Sequence, residues 1–218
     1  MSNYVKSTLD YHVSKLSLPP AFENNDELGL SMRTTYRIAT CDDGKTCRKG
    51  DHIIESLAAR AYNLALSATL LSAVGLYDES LNSVRSLGEL ANVLAYLSLH
   101  PDDYPNWVLA DKKTRLSKYS PSAIRTAIEK SSEFEPPMDK TTYAELCELS
   151  THVHGGTAPN AYGVDGRRHA GGFSEENGAG KVADLLTNTM YMIALLASKM
   201  VRRDDLFDEV ASLIRIED

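Results

Sequence analysis

The sequence predicts an all-α protein. From Asp51 onward it runs in long stretches of strong helix formers with apolar residues at helical spacing. The breakers Gly75, Pro101 and Gly155 stand where those patterns stop, and the connections between the longest stretches are short enough to make antiparallel neighbours.

Residues 1–50 differ from the rest, and we read them as an N-terminal arm ahead of a helical domain over 51–218. "LSLPPAFENNDELGL" and "TCDDGKTCRKGD" are rich in turn formers. Within the arm the pattern predicts a helix near 3–16 and a strand near "TTYRIAT", residues 34–40. The first long helix, "DHIIESLAARAYNLALSATLLSAVG", ends at Gly75, a natural C′ glycine. The second, "DESLNSVRSLGELANVLAYLSLH", starts two or three residues later and ends before Pro101, so the pair should form a hairpin. "PDDYPNWVLADKK" predicts a short helix opened by proline. "SPSAIRTAIEKS" predicts another, with Ser120 as N-cap and Pro121 in the first turn. "DKTTYAELCELSTHVH" runs helically into Gly155. The segment that follows, residues 155–180, holds eight of the thirteen glycines and reads as a long loop or hairpin around "VDGRRH". "KVADLLTNTMYMIALLASKMV" and "DDLFDEVASLIRI" supply the last helices.

The totals narrow the function. With 218 residues, 43% hydrophobic and 24% charged, the chain has the composition of a globular protein that buries roughly 70% of its unfolded surface. A net charge of −7 argues against a general nucleic-acid or anionic-membrane binder, although "DKKTRLSK" and "GRRH" are local basic patches. Three cysteines make no even disulfide framework, and no signal-like or membrane-spanning stretch is evident; a cytoplasmic setting is expected.

Two polar stripes run along the long helices. Asp78, Asn82, Arg85, Glu89 and Asn92 share one face of the second helix, and Ser56, Arg60, Asn63 and Ser67 share one face of the first. Each is either a solvated face, with Arg85–Glu89 an i,i+4 surface pair, or the lining of a groove facing the other stripe or the helix that leads to His154.

The two histidines of "ELSTHVHGG" separate on a helical wheel. At 100° per residue, Leu146, Leu149 and Val153 define the buried direction. His152 points away with Glu145 and Glu148. His154 lies at the border of the buried face with Tyr143, Cys147 and Ser150, where its pKa range suits acid–base work. The two diverge by about 200° and cannot share an ion if the helix continues. Cys41, Cys47 and His52 lack the close C-x2-C pairing of a zinc ribbon, so neither a metal nor another cofactor is expected. "GAGK" lacks phosphate-loop spacing and reads as a helix start.

"GLYDESLNSVRSLGELANVLAYLSLHPDDYPNWV", "YSPSAIRTAIEK" and "YAELCELSTHVHGG" together resemble the HEPN-like helical family, in the bacterial branch with G-x-x-x-E-A/S and R-S-x-x-E in one helix and L-S-x-x-V-H in a later one. The resemblance covers about residues 51–200. It implies a helical bundle, usually a homodimer, in toxin–antitoxin or anti-phage defence, and in many members a metal-independent endoribonuclease marked by R-x4-6-H. His154 matches the family histidine. The six residues before it hold no arginine, and Glu148 stands six places upstream. The resemblance therefore implies a binding or scaffold module for RNA, a nucleotide or a partner protein, with a degenerate site at His154, Arg85 and Glu89. Arg60, Asn63, Asn92 and Ser150 would border that site, as would Arg167, Arg168 and His169 from the glycine-rich loop. The alternative is an active RNase in which His154 works with an arginine from elsewhere, Arg85 or Arg168.

Overall fold

A computed structural model describes residues 2–14, 16–41, 52–131, 135–151 and 176–213. Among these the chain forms ten α-helices and two 3-10 turns, and no strand. The helices are α1 (Ser2–Ser14), α2 (Asp26–Thr40), α3 (Ile53–Ala73), α4 (Tyr77–Leu99) and α5 (Tyr104–Leu109). They continue with α6 (Lys112–Ser117), α7 (Pro121–Lys130), α8 (Lys140–Ser150), α9 (Glu176–Met200) and α10 (Asp204–Ala211).

The α3–α4 hairpin forms as expected, and its turn has a definite cause. Gly75 adopts φ 76°, the left-handed region open to glycine. Its N–H bonds the Ser72 carbonyl at 3.0 Å, while the Leu76 N–H bonds that of Leu71 at 2.9 Å, the Schellman pattern. Below the turn α3 presents Ala58, Ala61, Ala65 and Ala68, all fully buried and spaced three and four apart. So small a seam lets α4 approach closely, and Ser80 fastens it by donating to the Ala68 carbonyl at 2.7 Å.

α9 is the central post, packing against α4, α2 and α3. Leu186, Met190 and Ile193 of α9 and Leu81, Leu87 and Leu94 of α4 lie at the heart of the core. The helix starts five residues before the expected Lys181, inside what the sequence presents as loop. Gly178 explains the difference: a Cβ there would stand 2.7 Å from the Tyr77 ring of α4, so only glycine lets α9 begin that close.

The strand expected over residues 34–40 is instead the second half of α2. Thr34, Thr35, Tyr36 and Ile38 favour strand by residue type. The buried positions Leu28, Ser31, Thr34, Thr35 and Ile38 nevertheless recur at helical spacing, and the face they form is covered by α9 and α3. Asn25 caps this helix by accepting from the Leu28 N–H at 2.9 Å, and donates at 2.9 Å to Thr187 on α9. Residues 26–40, which the sequence places in a less regular arm, are thus packed into the bundle. α1 forms over the expected span.

The stretch expected as one short helix after Pro101 is divided. A 3-10 turn, Pro101–Asp103, leads into α5, and α6 begins afresh with Asp111 accepting from the Thr114 N–H at 2.8 Å. Asp103 ties the region together, accepting from Tyr96 at 2.6 Å, Lys118 at 2.7 Å, Tyr119 at 2.9 Å and Asn106 at 3.0 Å. α7 and α8 then pack on α4. The expected Ser120 cap is present, accepting from the Ala123 N–H at 3.3 Å. Asp139 caps α8 by accepting from the N–H groups of Thr141 and Thr142 at 2.6 and 3.0 Å. The hairpin proposed around "VDGRRH" lies outside the described residues.

Candidate functional site

The polar stripe of α4 faces α8, and the contact centres on Tyr143. Arg85 Nη1 donates to Glu89 Oε1 at 2.7 Å and to the Tyr143 hydroxyl at 3.1 Å. That hydroxyl donates in turn to the same Glu89 oxygen at 2.9 Å, closing a three-membered ring of polar contacts. The Arg85 side chain is only 19% exposed and that of Glu89 33%, so the pair is far more sheltered than the surface i,i+4 pair it resembles in sequence. At the outer end Asn82 Oδ1 accepts from Arg85 Nε and from the hydroxyl of Thr151, the C-cap residue of α8, each at 3.4 Å.

A second guanidinium completes the arrangement. Arg125 of α7 lies over the Tyr143 ring, 4.2 Å from its centroid, with Arg85 at 5.6 Å. Arg125 is 8% exposed, and its buried Nη1 has no hydrogen-bond partner. On α7 it stands between Ile124 and Ile128 on the face that packs against the bundle.

The electrostatics fix the charge state of this cluster. Burial pushes the Tyr143 phenol up, and the hydrogen bond to Glu89 and that carboxylate's charge push it further, to about 12. Burial alone lowers Arg85, but Glu89, Tyr143 and Cys147 together outweigh it and raise the guanidinium above its usual value. At neutral pH the phenol keeps its proton and Arg85 keeps its charge. Tyr143 is then a hydrogen-bond donor rather than a base, and the charge of Arg85 is largely met by Glu89. The cluster suits binding of a polar group more than proton transfer.

The remaining sequence candidates divide. Asn92 continues the stripe, yet it is buried and holds a different partner: its Nδ2 donates to the Met138 carbonyl at 2.9 Å, and its Oδ1 accepts from the Met138 N–H at 3.0 Å. Its amide is consumed in fixing the chain that enters α8. Ser150 turns its hydroxyl back onto the Leu146 carbonyl at 2.5 Å. Arg60 and Asn63 lie exposed on the outer side of α3, with Ser56 and Ser67, so that stripe is a solvated face and does not meet the stripe of α4. His152, His154, Arg167, Arg168 and His169 lie outside the described residues. Arg85 and Glu89 are therefore brought together, against α8, which ends at Ser150 and precedes His154 in the chain.

Beside the cluster, Thr142 and Glu145 of α8 border a groove of about 830 Å³ shared with Pro20, Ala21 and the first turns of α9. Lys181 spans it to Glu145 at 2.5 Å. Among the described residues no group of three or more histidine, cysteine or acidic side chains is arranged to hold a metal ion, and no helix is long and apolar enough to cross a membrane.

Sequence reasoning marked Tyr143 only as a neighbour of His154 on the wheel. Arg125 carried no signal beyond its place on the apolar side of α7. The chain matches no family model, no curated protein and no solved structure.

Proposed function

We propose that this chain is a HEPN-like binding or scaffold module of a bacterial or phage stress or conflict system, acting as a homodimer. Its site is the Arg85–Glu89–Tyr143 cluster and the segment that follows α8. The motifs in α4 and α8 support the family reading. The observation that carries the choice of binding over catalysis is the 2.7 Å ion pair between Arg85 and Glu89. An arginine that stabilises a phosphorane must have its charge available to the phosphate. Here a carboxylate already occupies it, and Tyr143 takes the same nitrogen. A short RNA or nucleotide can still be recognised through hydrogen bonds to the cluster, while the net charge of −7 disfavours long phosphate tracks.

An active RNase is the second reading, and one observation favours it: Arg125 brings an unpaired guanidinium nitrogen to the same tyrosine. Incubating the protein and a His154→Ala variant with transfer RNA and total RNA in EDTA separates the two. The binding module leaves RNA intact in both samples. Specific fragments from the wild type that vanish in the variant would establish cleavage.

A further inference from the structure

The basic patch "DKKTRLSK" has no part in the cluster on α4 and α8. It belongs to a lobe that leaves the bundle at the end of α4. α5 packs extensively only on the 3-10 turn before it, and α6 packs extensively on no other element. Tyr104, Trp107 and Ala110 form the lobe's inner side, partly buried against the core. Leu109, at 83% exposure, lies about 170° from the direction that Tyr104 and Trp107 share on α5. On α6 the inward side is marked by half-buried Thr114 and by Lys118, which donates to Asp103 at 2.7 Å. Leu116, at 68% exposure, points about 180° from that side, between Lys112 and Lys113. The lobe's charge is the reverse of the chain's. Residues 108–118 hold four cations and one acid, a net +3, so the rest carries −10 against the total of −7. Lys118 is met by Asp103, whereas Lys112, Lys113 and Arg115 are exposed and make no ion pair among the described residues.

We propose that this lobe docks on an anionic phospholipid surface. Leu109 and Leu116 enter the boundary between headgroups and acyl chains, while Lys112, Lys113 and Arg115 meet the lipid phosphates. Three features of the lobe choose this occupant. Its leucines project: a side chain 83% exposed needs a hole in a rigid protein partner, whereas a bilayer yields around it. Its chemistry is mixed: an aliphatic side chain gains nothing from a phosphate backbone, which sets the lobe apart from a nucleic-acid patch. Its charge is local: at physiological salt the screening length is about 8 Å, so the −10 carried elsewhere is largely screened from the lobe and turns the other faces away. That is why the chain as a whole does not read as a membrane binder while this lobe does. The contact is shallow and reversible, since two leucines insert less apolar surface than one acyl chain.

The lobe is independent of the Arg85 cluster: Arg85 stands fourteen residues before the end of α4, about 21 Å along its axis. The full chain should float with vesicles of phosphatidylcholine containing about 30% phosphatidylserine, and not with phosphatidylcholine alone. Trp107, the only tryptophan and two residues from Leu109, reports insertion directly: brominated acyl chains in the anionic vesicles should quench its emission. Each cation near such a surface is worth about fivefold, so Lys112→Ala combined with Lys113→Ala should weaken partitioning about 25-fold. Leu109→Glu and Leu116→Glu should each weaken it at least tenfold. Arg60→Ala, on α3, should leave it unchanged. All five positions are exposed, so circular dichroism should show the same helix content in every variant. No flotation, equal flotation with neutral vesicles, an unquenched Trp107, or flotation indifferent to the leucines overturns the proposal. So does a wild type that ignores vesicles and whose RNA binding is lost in the double lysine variant, which would give the lobe to a nucleic acid.

Discussion

Asn92 is the residue whose removal should be felt most sharply. It is 2% exposed and clamps the Met138 backbone from both sides, at 2.9 and 3.0 Å across 46 residues of sequence. Asn92→Ala removes both hydrogen bonds and strands the buried N–H and carbonyl of Met138. An unsatisfied buried backbone group costs about 1–3 kcal/mol, so the pair should cost about 4 kcal/mol. That is a large share of the 5–15 kcal/mol by which a typical domain is stable. Urea denaturation should show a lowered midpoint at unchanged slope, and thermal melting a drop of about 10 °C. Asn92→Asp should fare no better, because its carboxylate accepts from the N–H but opposes the carbonyl. A loss below about 1 kcal/mol for Asn92→Ala would refute the clamp, since even one orphaned group should cost that much.

Other substitutions follow from the same geometry. Gly88→Ala puts a methyl 2.9 Å from Met138 Cβ and against its thioether, so it should destabilise by about 1–3 kcal/mol despite alanine's better helix propensity. In the same urea assay it should be non-additive with Asn92→Ala, because both act on Met138. Burial alone raises the Asp103 carboxyl, but the bonds from Lys118, Tyr96, Asn106 and Tyr119 prevail and hold it well below the usual carboxylate range. Its contribution is present above an unfolded value of about 4 and fades as pH falls through the lower folded value. Asp103→Asn should lose that contribution at neutral pH and flatten the acid side of the stability profile, measured by urea melts from pH 7 to pH 2. At the alkaline end, burial followed by the bond to Asp103 lifts Tyr96 to about 12, matching Tyr143. The unfolded phenols release protons near 10 while the folded ones retain them, so stability should fall as pH rises from about 10 to 12. Tyr143→Phe should remove part of that fall.

The legible parts of the fold were those with local punctuation. Gly75, Pro101, the Ser120–Pro121 start and the short turns fixed α3, α4 and α7 because caps and breakers act on neighbouring residues. α2 was obscured by its β-branched residues, whose preference is overridden by the covering α9 and α3. The start of α9 was hidden because Gly178 and Gly180 read as loop; the proximity of Tyr77 shows why glycine belongs in the helix at 178. At the site, the spacing of Arg85 and Glu89 announced their pairing. Nothing local announced that Asn92 serves a backbone 46 residues away, or that Arg125 stacks on Tyr143. Those contacts depend on how α7 and α8 settle on α4, which no single helix encodes.

The central claim is that the α4–α8 cluster binds without cutting. Fluorescence anisotropy with an end-labelled short RNA in EDTA, followed by a gel of the same sample, reads binding and integrity together. The wild type should bind and leave the RNA whole; Arg85→Ala should weaken binding at least tenfold. Arg60→Ala, on the solvated face of α3, should leave it unchanged. Equal weakening by both arginine variants, no binding at all, or RNA cut by the wild type would contradict the account.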